Sequence, residues 1–399
     1  MKKQILLILL VSQGFVFFSC NRITTNKNAR IIPADFNFME MMQPVPETSK
    51  LEHEGWFTWG ASVQEGDDGK YHMIYCRWPK DYPFGTGWLI DAELCYAVAD
   101  QPEGPFSYVS TILQGRKAES DFHAWDGASV YNPHLKKFNG KYYLYYTGTY
   151  DPYNKGKSTD REVLVRHQRI GVIEFDSVED LVNGKFHRSD KPLLSPLSSF
   201  GYNVPEKEQF GDENNPSVAN IVVVNPSVEK RPDGKYILVF KSWQNKKNFS
   251  PIHGVAIADS PTGPFKVNPD PILIVKKEDG SIAMAEDPFI WYNKPRNSFF
   301  ALVRDFKGDI TGYGHSMALF RSNDGINWQT AENVLASDLN IKWENGMIDQ
   351  VARLERPQLL LDIDGEPLVL YCACAIEPPT DEKTNTFNIQ IPLKLKKNE

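Results

Sequence analysis

Basic charge is scarce in this sequence. Its 44 lysines and arginines are outnumbered by 51 aspartates and glutamates, which gives a formal net charge of −7. No basic stripe is present to gather phosphates, which excludes nucleic acid and an anionic membrane surface as natural partners. Cysteine is scarce too, with five in 399 residues. Their spacing matches no zinc pattern, and no two ligands share the helix or strand spacing of a metal site, so neither a metal nor another cofactor is expected. Cys76 and Cys95 lie on strands of one repeat, where buried free thiols and a bridge in an oxidising compartment both remain open. Cys372 and Cys374, two apart on one strand, share a face without geometry for pairing with each other.

What the sequence has instead is repetition. Between Asp126 and Gly148 the pair Asn139-Gly140 separates two apolar-rich runs, and the second, Lys141 to Thr147, is dense in Tyr and Leu. Asn-Gly supplies the positive φ angles of a two-residue turn, and the run after it fits a pleated, half-buried surface, so the stretch reads as a β-hairpin. The unit recurs, each time with a short step taken to open its first strand: Gly60-Ala61-Ser62-Val63, Asn132-Pro133-His134-Leu135, Asn225-Pro226-Ser227-Val228, Asp287-Pro288-Phe289-Ile290 and Arg356-Pro357-Gln358-Leu359. The first copy alone lacks the proline. Five self-similar units of four strands predict an all-β fold, a five-bladed β-propeller. The C-terminal run Thr386 to Leu395 alternates polar and apolar residues and is expected to complete the fifth blade, with Phe36 to Met42 as a candidate edge strand.

The N-terminus stands apart. Lys2 and Lys3 form a positive n-region, Ile5 to Phe18 an apolar stretch, and Ser19-Cys20 follow at the cleavage site. The pattern is similar to a bacterial lipoprotein signal, and an ordinary secretory signal with an incidental cysteine fits the same run. The expected organisation is a signal peptide over 1–20, a tether and N-terminal segment over 21–50, and one propeller domain over 51–399. The expected address is periplasmic or cell-surface, an exported lipoprotein anchored to the bacterial outer membrane and touching membrane only through lipid on Cys20.

Insertions in repeat folds collect as loops on one face, commonly the binding face. Here Asp81 to Asp91 holds Tyr82, Phe84 and Trp88, while Asp151 to Arg161 and the long acidic stretch Ser198 to Asn215 separate the second and third repeats. Aromatic rings at the mouth of a propeller suit the apolar C–H face of a pyranose, and the same rings also serve to anchor long loops.

The D/N-P-x-aliphatic openings, the strand GKYYLYY and the turn ADSPTGPF together resemble the five-bladed propeller glycoside hydrolases, the group around glycoside hydrolase families 43, 32, 68 and 117, from about Trp56 to Ala375. The resemblance implies a glycoside hydrolase. For family 43 it also implies three carboxylates at the inner strand starts of the first three blades, whereas Gly60, Asn132 and Val224 stand there in this chain and none of them transfers a proton. Carboxylates occur at equivalent places elsewhere: Glu286 and Asp287 in the fourth repeat, Glu355 in the fifth, and Asp126 six residues before the second opening. Inner strands line one funnel, where clustered carboxylates push their pKa values apart and can divide acid from base. The catalytic candidates are therefore Asp287, which alone reproduces the D-P opening, with Glu355, Glu286 and Asp126. The same side chains can instead cap turns or pair with Arg304, Arg353 or Arg356. His315 joins the candidates, since imidazole moves protons at neutral pH and the resemblance to family 117 implies a histidine acid. For substrate contact the candidates are Trp59, Trp125, His123, His134 and Arg356. The expected partner is an oligosaccharide or polysaccharide of plant or algal kind, with hydrolysis as the first reading and a non-catalytic glycan-binding propeller as the second.

Overall fold

The computed structural model describes residues 34–151, 161–196, 222–243, 251–379 and 384–395. The signal run with Cys20, the tether to Arg30, loop residues 152–160 and the insertion from Ser198 to Asn215 lie outside the described residues. Five inner strands, Trp56–Glu65, Ser129–Phe138, Val224–Lys230, Ala285–Asn293 and Arg353–Leu361, follow one another about an axis, and the fifth packs against the first to close the ring. Antiparallel hairpins lead outward from each, so the chain forms the five-bladed β-propeller that its repeats predict. Blade one adds Tyr71–Pro79, Glu93–Ala99 and Ser107–Leu113, and blades three and four are likewise four-stranded. Blade two departs from the pattern. After Lys141–Thr149 and Gln168–Phe175, its fourth place holds, among the described residues, only an isolated bridge between Ile170 and Leu194.

The ring holds together because successive side chains of a strand point to opposite faces. On the strand Tyr236–Trp243, Leu238 joins the apolar cluster shared with blade two and Val239 the cluster shared with blade four. Five such clusters fill the five gaps between blades. Strands buried on both faces need apolar residues at nearly every position, which is why GKYYLYY reads as a continuous run rather than an alternation.

The repeated step lies within the inner strand and does not open it, as the repeats suggested. Its first residue is left-handed in all five blades, with φ of 50° at Gly60, 52° at Asn132, 56° at Asn225, 54° at Asp287 and 56° at Arg356. Pairing with the next strand slips at each of these points. A bulge leaves a residue outside the ladder, and a proline, which has no N–H to contribute, fits beside it.

Closure differs from expectation in one respect. Thr386–Pro392 does join blade five, but as its third strand, and Lys50–Leu51 from the other end of the chain adds outside it, pairing Lys50 with Ile389 and Leu51 with Asn388. The segment Phe36 to Met42 is not an edge strand. The Asn37 side chain accepts the Glu40 N–H and starts the single helical turn Phe38–Met41, whose Phe38 and Met41 are buried in the cluster between blades four and five. A Cys76–Cys95 bridge is likewise ruled out by register. Cys76 stands opposite Leu94 and Cys95 opposite Tyr75, so the two thiols point into different interblade clusters, and both are free.

Candidate active site in the propeller funnel

The left-handed residues and those just before them surround one end of the axis. All but Gly60 and Val224 line a cavity of about 510 Å³. Its floor is a chain of hydrogen bonds from blade to blade. Asn132 Nδ2 donates to Asn225 Oδ1 at 2.6 Å, and Asn225 Nδ2 donates to Asp287 Oδ1 at 2.7 Å. Arg356 closes the ring, its Nη1 donating to Asp287 Oδ1 and its backbone N–H to Oδ2, each at 3.3 Å. The Arg356 side chain then lies over Gly60, where an added Cβ would meet its Cγ at 3.5 Å.

Blades one and two give the cavity an aromatic lining: Trp59 and Trp78, Tyr131, and Phe84 and Trp88 from the helix Phe84–Ile90. Phe84 stands edge-on to Trp59 with ring centres 5.2 Å apart, and Trp88 edge-on to Tyr131 at 5.1 Å, so the helix in the Asp81 to Asp91 insertion is pinned by the rings it presents.

Blades three to five contribute charge through one repeated geometry. Lys241 and Arg304 occupy matching places on second strands, opposite Val224 and Glu286. Each reaches the inner-strand carboxylate of the following blade: Lys241 Nζ lies 2.7 Å from Glu286 Oε1, and Arg304 Nη1 lies 2.9 Å from Glu355 Oε1. The same Arg304 nitrogen also stands 2.9 Å from Glu286 Oε2. Two buried carboxylates thus flank one guanidinium nitrogen and are driven apart. Burial raises the pKa of Glu286, but Lys241 and Arg304 outweigh it and hold this carboxylate below its usual range. Burial also raises Glu355, and there Asp287 and Glu286 add to the rise against Arg304 and Arg353, so its carboxyl is pushed up to about 7.

His315 is held beside this pair by the loop after Ser298–Asp305. Asp305 ties that loop down, accepting hydrogen bonds from the N–H groups of Gly308, Ile310 and Thr311. The His315 ring takes Arg304 Nη2 at 2.6 Å and Arg353 Nη1 at 3.0 Å on the same Nδ1. Two cations donating to one nitrogen fix the neutral tautomer with the proton on Nε2. Burial, Arg304 and Arg353 together lower its pKa to about 4. The geometry therefore makes His315 a positioning residue for two arginines rather than a proton donor.

Of the candidates named from sequence, Glu286, Asp287, Glu355, Trp59 and Arg356 line the cavity. The other five do not: His315 stands behind the arginines it positions, and the remaining four lie elsewhere. Asp126 is wholly buried away from the funnel, where Tyr146 Oη donates to it at 2.8 Å and Arg188 and Arg116 flank it. Trp125 stacks on Tyr146 beneath the same cluster, and a Cβ on Gly148 or Gly171 would collide with its ring. His134 is a plug of the axis, between Gln358 Oε1 at 3.0 Å and the Val228 N–H at 2.9 Å, with burial lowering its pKa to about 3. His123 sits exposed outside the cavity lining, on the turn before the second inner strand. Sequence reasoning missed Lys241, Tyr131, Trp78 and Gln168. The signal for Tyr131 was available as position, since it precedes the Asn132-Pro133 step as Glu286 and Glu355 precede theirs. Among the described residues no group of three His, Cys, Asp or Glu side chains stands where it could hold a metal ion.

No family model and no curated protein sequence matches this chain. Solved structures do. Zg3597, a family 117 glycoside hydrolase of the marine bacterium Zobellia galactanivorans, is 16% identical and superposes with a TM-score of 0.55 over 88% of this chain and 89% of its own. An α-L-arabinofuranosidase from Lactobacillus brevis gives 0.55 at 12% identity, over 91% and 100% of the two chains. A thermostable family-43 glycoside hydrolase gives 0.53 at 11% identity, over 90% and 97%. The chain has the fold of the propeller glycoside hydrolases. The funnel of this chain carries its carboxylates, Glu286, Asp287 and Glu355, in blades four and five, and Gly60, Asn132 and Asn225 hold the places that match Asp287 in the first three.

Proposed function

We propose that the funnel binds a saccharide and hydrolyses a glycosidic bond in it, with Glu355 as the acid and Glu286 as the ionised partner. The observation that carries this reading is the divided pair: two carboxylates on one Arg304 nitrogen, one held charged by cations and one pushed up to about 7, beside an aromatic lining. Glycoside hydrolysis needs these two states together, a protonated carboxyl for the leaving oxygen and a carboxylate for water or for carbon. The Trp59 and Trp88 rings offer the apolar surface on which a sugar face stacks. The exported, lipid-anchored address through Cys20 is part of the same proposal, since a saccharide from outside the cell is met there.

A second reading, binding without turnover, draws on the bridge itself, because Arg304 neutralises both carboxylates at once. Hydrolysis of an oligosaccharide panel by the wild type, Glu355→Gln and Glu286→Gln, with ligand binding measured in parallel, separates the two. Hydrolysis predicts a fall of roughly 10² to 10⁴ in rate with binding retained. Binding in all three proteins with no hydrolysis of any panel member would leave the second reading standing.

A further inference from the structure

Arg356 carries more hydrogen-bond donors than the funnel floor satisfies. Its Nη1 meets Asp287, but its Nε–H is buried without an acceptor, and Nη2 has no partner among the described residues. The residue is 4% exposed and lines the cavity. A buried, charged donor left unpaired forfeits its hydration with nothing in return. The backbone adds to this, because an arginine at φ 56° is strained where glycine or asparagine would be at ease. Such strain persists at ligand clamps, where a bound group repays it.

Beside that unpaired edge the ring has no side chain. Gly60 is the one bare member of the five, and a Cβ built on it would lie 3.5 Å from Arg356 Cγ and 3.7 Å from Nε. The neighbouring cations are engaged: Lys241 and Arg304 lie on Glu286, and Arg353 on Glu355. We propose that the Nη2 end of the Arg356 guanidinium, where this side chain lines the cavity, is a carboxylate subsite, and that the saccharide taken by the funnel carries a uronic acid whose carboxylate docks there. The inference rests on the saccharide reading of the cavity. A carboxylate oxygen accepting from the Nη2–H groups makes a charge-assisted hydrogen bond, about twice as strong as a neutral one. In this place the substrate supplies the negative charge that blade one, with Gly60, does not.

Calorimetric titration with galacturonate and glucuronate, against galactose and glucose, reads the subsite without requiring turnover. The wild type should bind the uronates about tenfold or more tightly than the neutral sugars. Galactose 6-sulfate, the other anionic sugar chemistry that an arginine takes, should bind more weakly than galacturonate. Gly60→Asp tests the subsite from the protein side. Aspartate tolerates the left-handed region better than most residues, and a Cβ at this position already meets Arg356 at 3.5 Å, so its carboxylate would stand against the guanidinium and compete for it. The uronate preference should then collapse to parity while the melting temperature is kept or raised. Arg356→Gln should abolish the preference as well, and Gly60→Asp keeps the test readable should Arg356→Gln fail to fold. Equal or undetectable uronate binding by the wild type, a preference that survives in folded Gly60→Asp, or tighter binding of the sulfate would each overturn the proposal. Uronate binding without hydrolysis would sink only the hydrolase reading. Hydrolysis of neutral saccharides with no uronate preference would sink only this inference.

Discussion

Asp287 and Glu355 sit one blade apart, Asp287 at the left-handed step and Glu355 just before it, and their surroundings give them different work. Asp287 Oδ1 accepts from Asn225 and Arg356, Oδ2 accepts the Arg356 N–H, and the residue is 6% exposed. Glu355 holds its cations on Oε1 alone, at 2.9 Å from Arg304 and 3.4 Å from Arg353. A carboxylate whose oxygens are all committed to the floor is a tie between blades, whereas one with an oxygen outside its ion pairs can carry a proton to a ligand. Asp287→Asn should therefore act on stability. Its remaining oxygen keeps the Asn225 contact, but Arg356 loses its counter-charge, and breaking a buried pair from one side costs about 3 kcal/mol. Scanning calorimetry should show a clear drop in melting temperature, with activity reduced only in proportion to folded protein. An unchanged melting temperature with turnover abolished would instead mark Asp287 as a proton carrier.

At the scale of elements, the ring is closed by two short pieces from opposite ends of the sequence. Thr386–Pro392 lies between Pro367–Ala375 and Lys50–Leu51, and the buried Phe387, Ile389 and Ile391 fill the gap to blade four. Truncation after Ala375 removes that strand and leaves Lys50–Leu51 without its partner. Cooperative thermal unfolding should be lost, and an unaltered transition would show that closure resides elsewhere. The blades themselves were legible in the sequence because each hairpin carries its own turn chemistry, as at Asn139 and Gly140, both with positive φ. The bulge was legible only as a motif, since nothing in Asn-Pro or Asp-Pro says whether the step opens a strand or interrupts it. The outer strand Lys50–Leu51 was not legible, because two residues have no period. In the site, residues of the repeated step itself could be named from sequence. Those that reach it from second strands could not: Lys241 meets Glu286 across a blade boundary, and that meeting depends on register and blade rotation together. Asp126 and His134 misled because proximity to a repeat along the chain does not say whether a side chain faces the axis opening, the plug below it or the gap between blades.

At the scale of the whole molecule, burial of titratable groups sets how stability follows pH. Burial lowers four histidines: His134 and His253 to about 3, and His53 and His315 to about 4. Their ordinary value is 6.5. As pH falls through 6.5 the unfolded chain takes up protons that the folded chain refuses, so this contribution to stability is lost progressively from about 6.5 down to about 3, where His134 and His253 themselves titrate. His134 and His253, fully buried, dominate it, while water screens the half-open His53 and His315. Glu355 works in the opposite sense. Its folded carboxyl, at about 7, keeps a proton that the unfolded carboxyl releases near 4.5, so it subtracts stability as pH rises from about 4.5 to 7 and no further above that. Buried Asp126, also raised, works in the same sense as Glu355, and four histidines against these two carboxyls leave the balance with the histidines. The melting temperature should rise from pH 4.5 to about 6.5 and then level. Glu355→Gln separates the two effects, because it removes the ionisation penalty and leaves the histidines in place. Relative to the wild type, that variant should gain melting temperature at pH 8 and little or none at pH 4.5, read by parallel calorimetric scans across the range. A difference between the two proteins that stays constant with pH would mean that Glu355 titrates at an ordinary carboxylate value, and the divided pair would lose its acid.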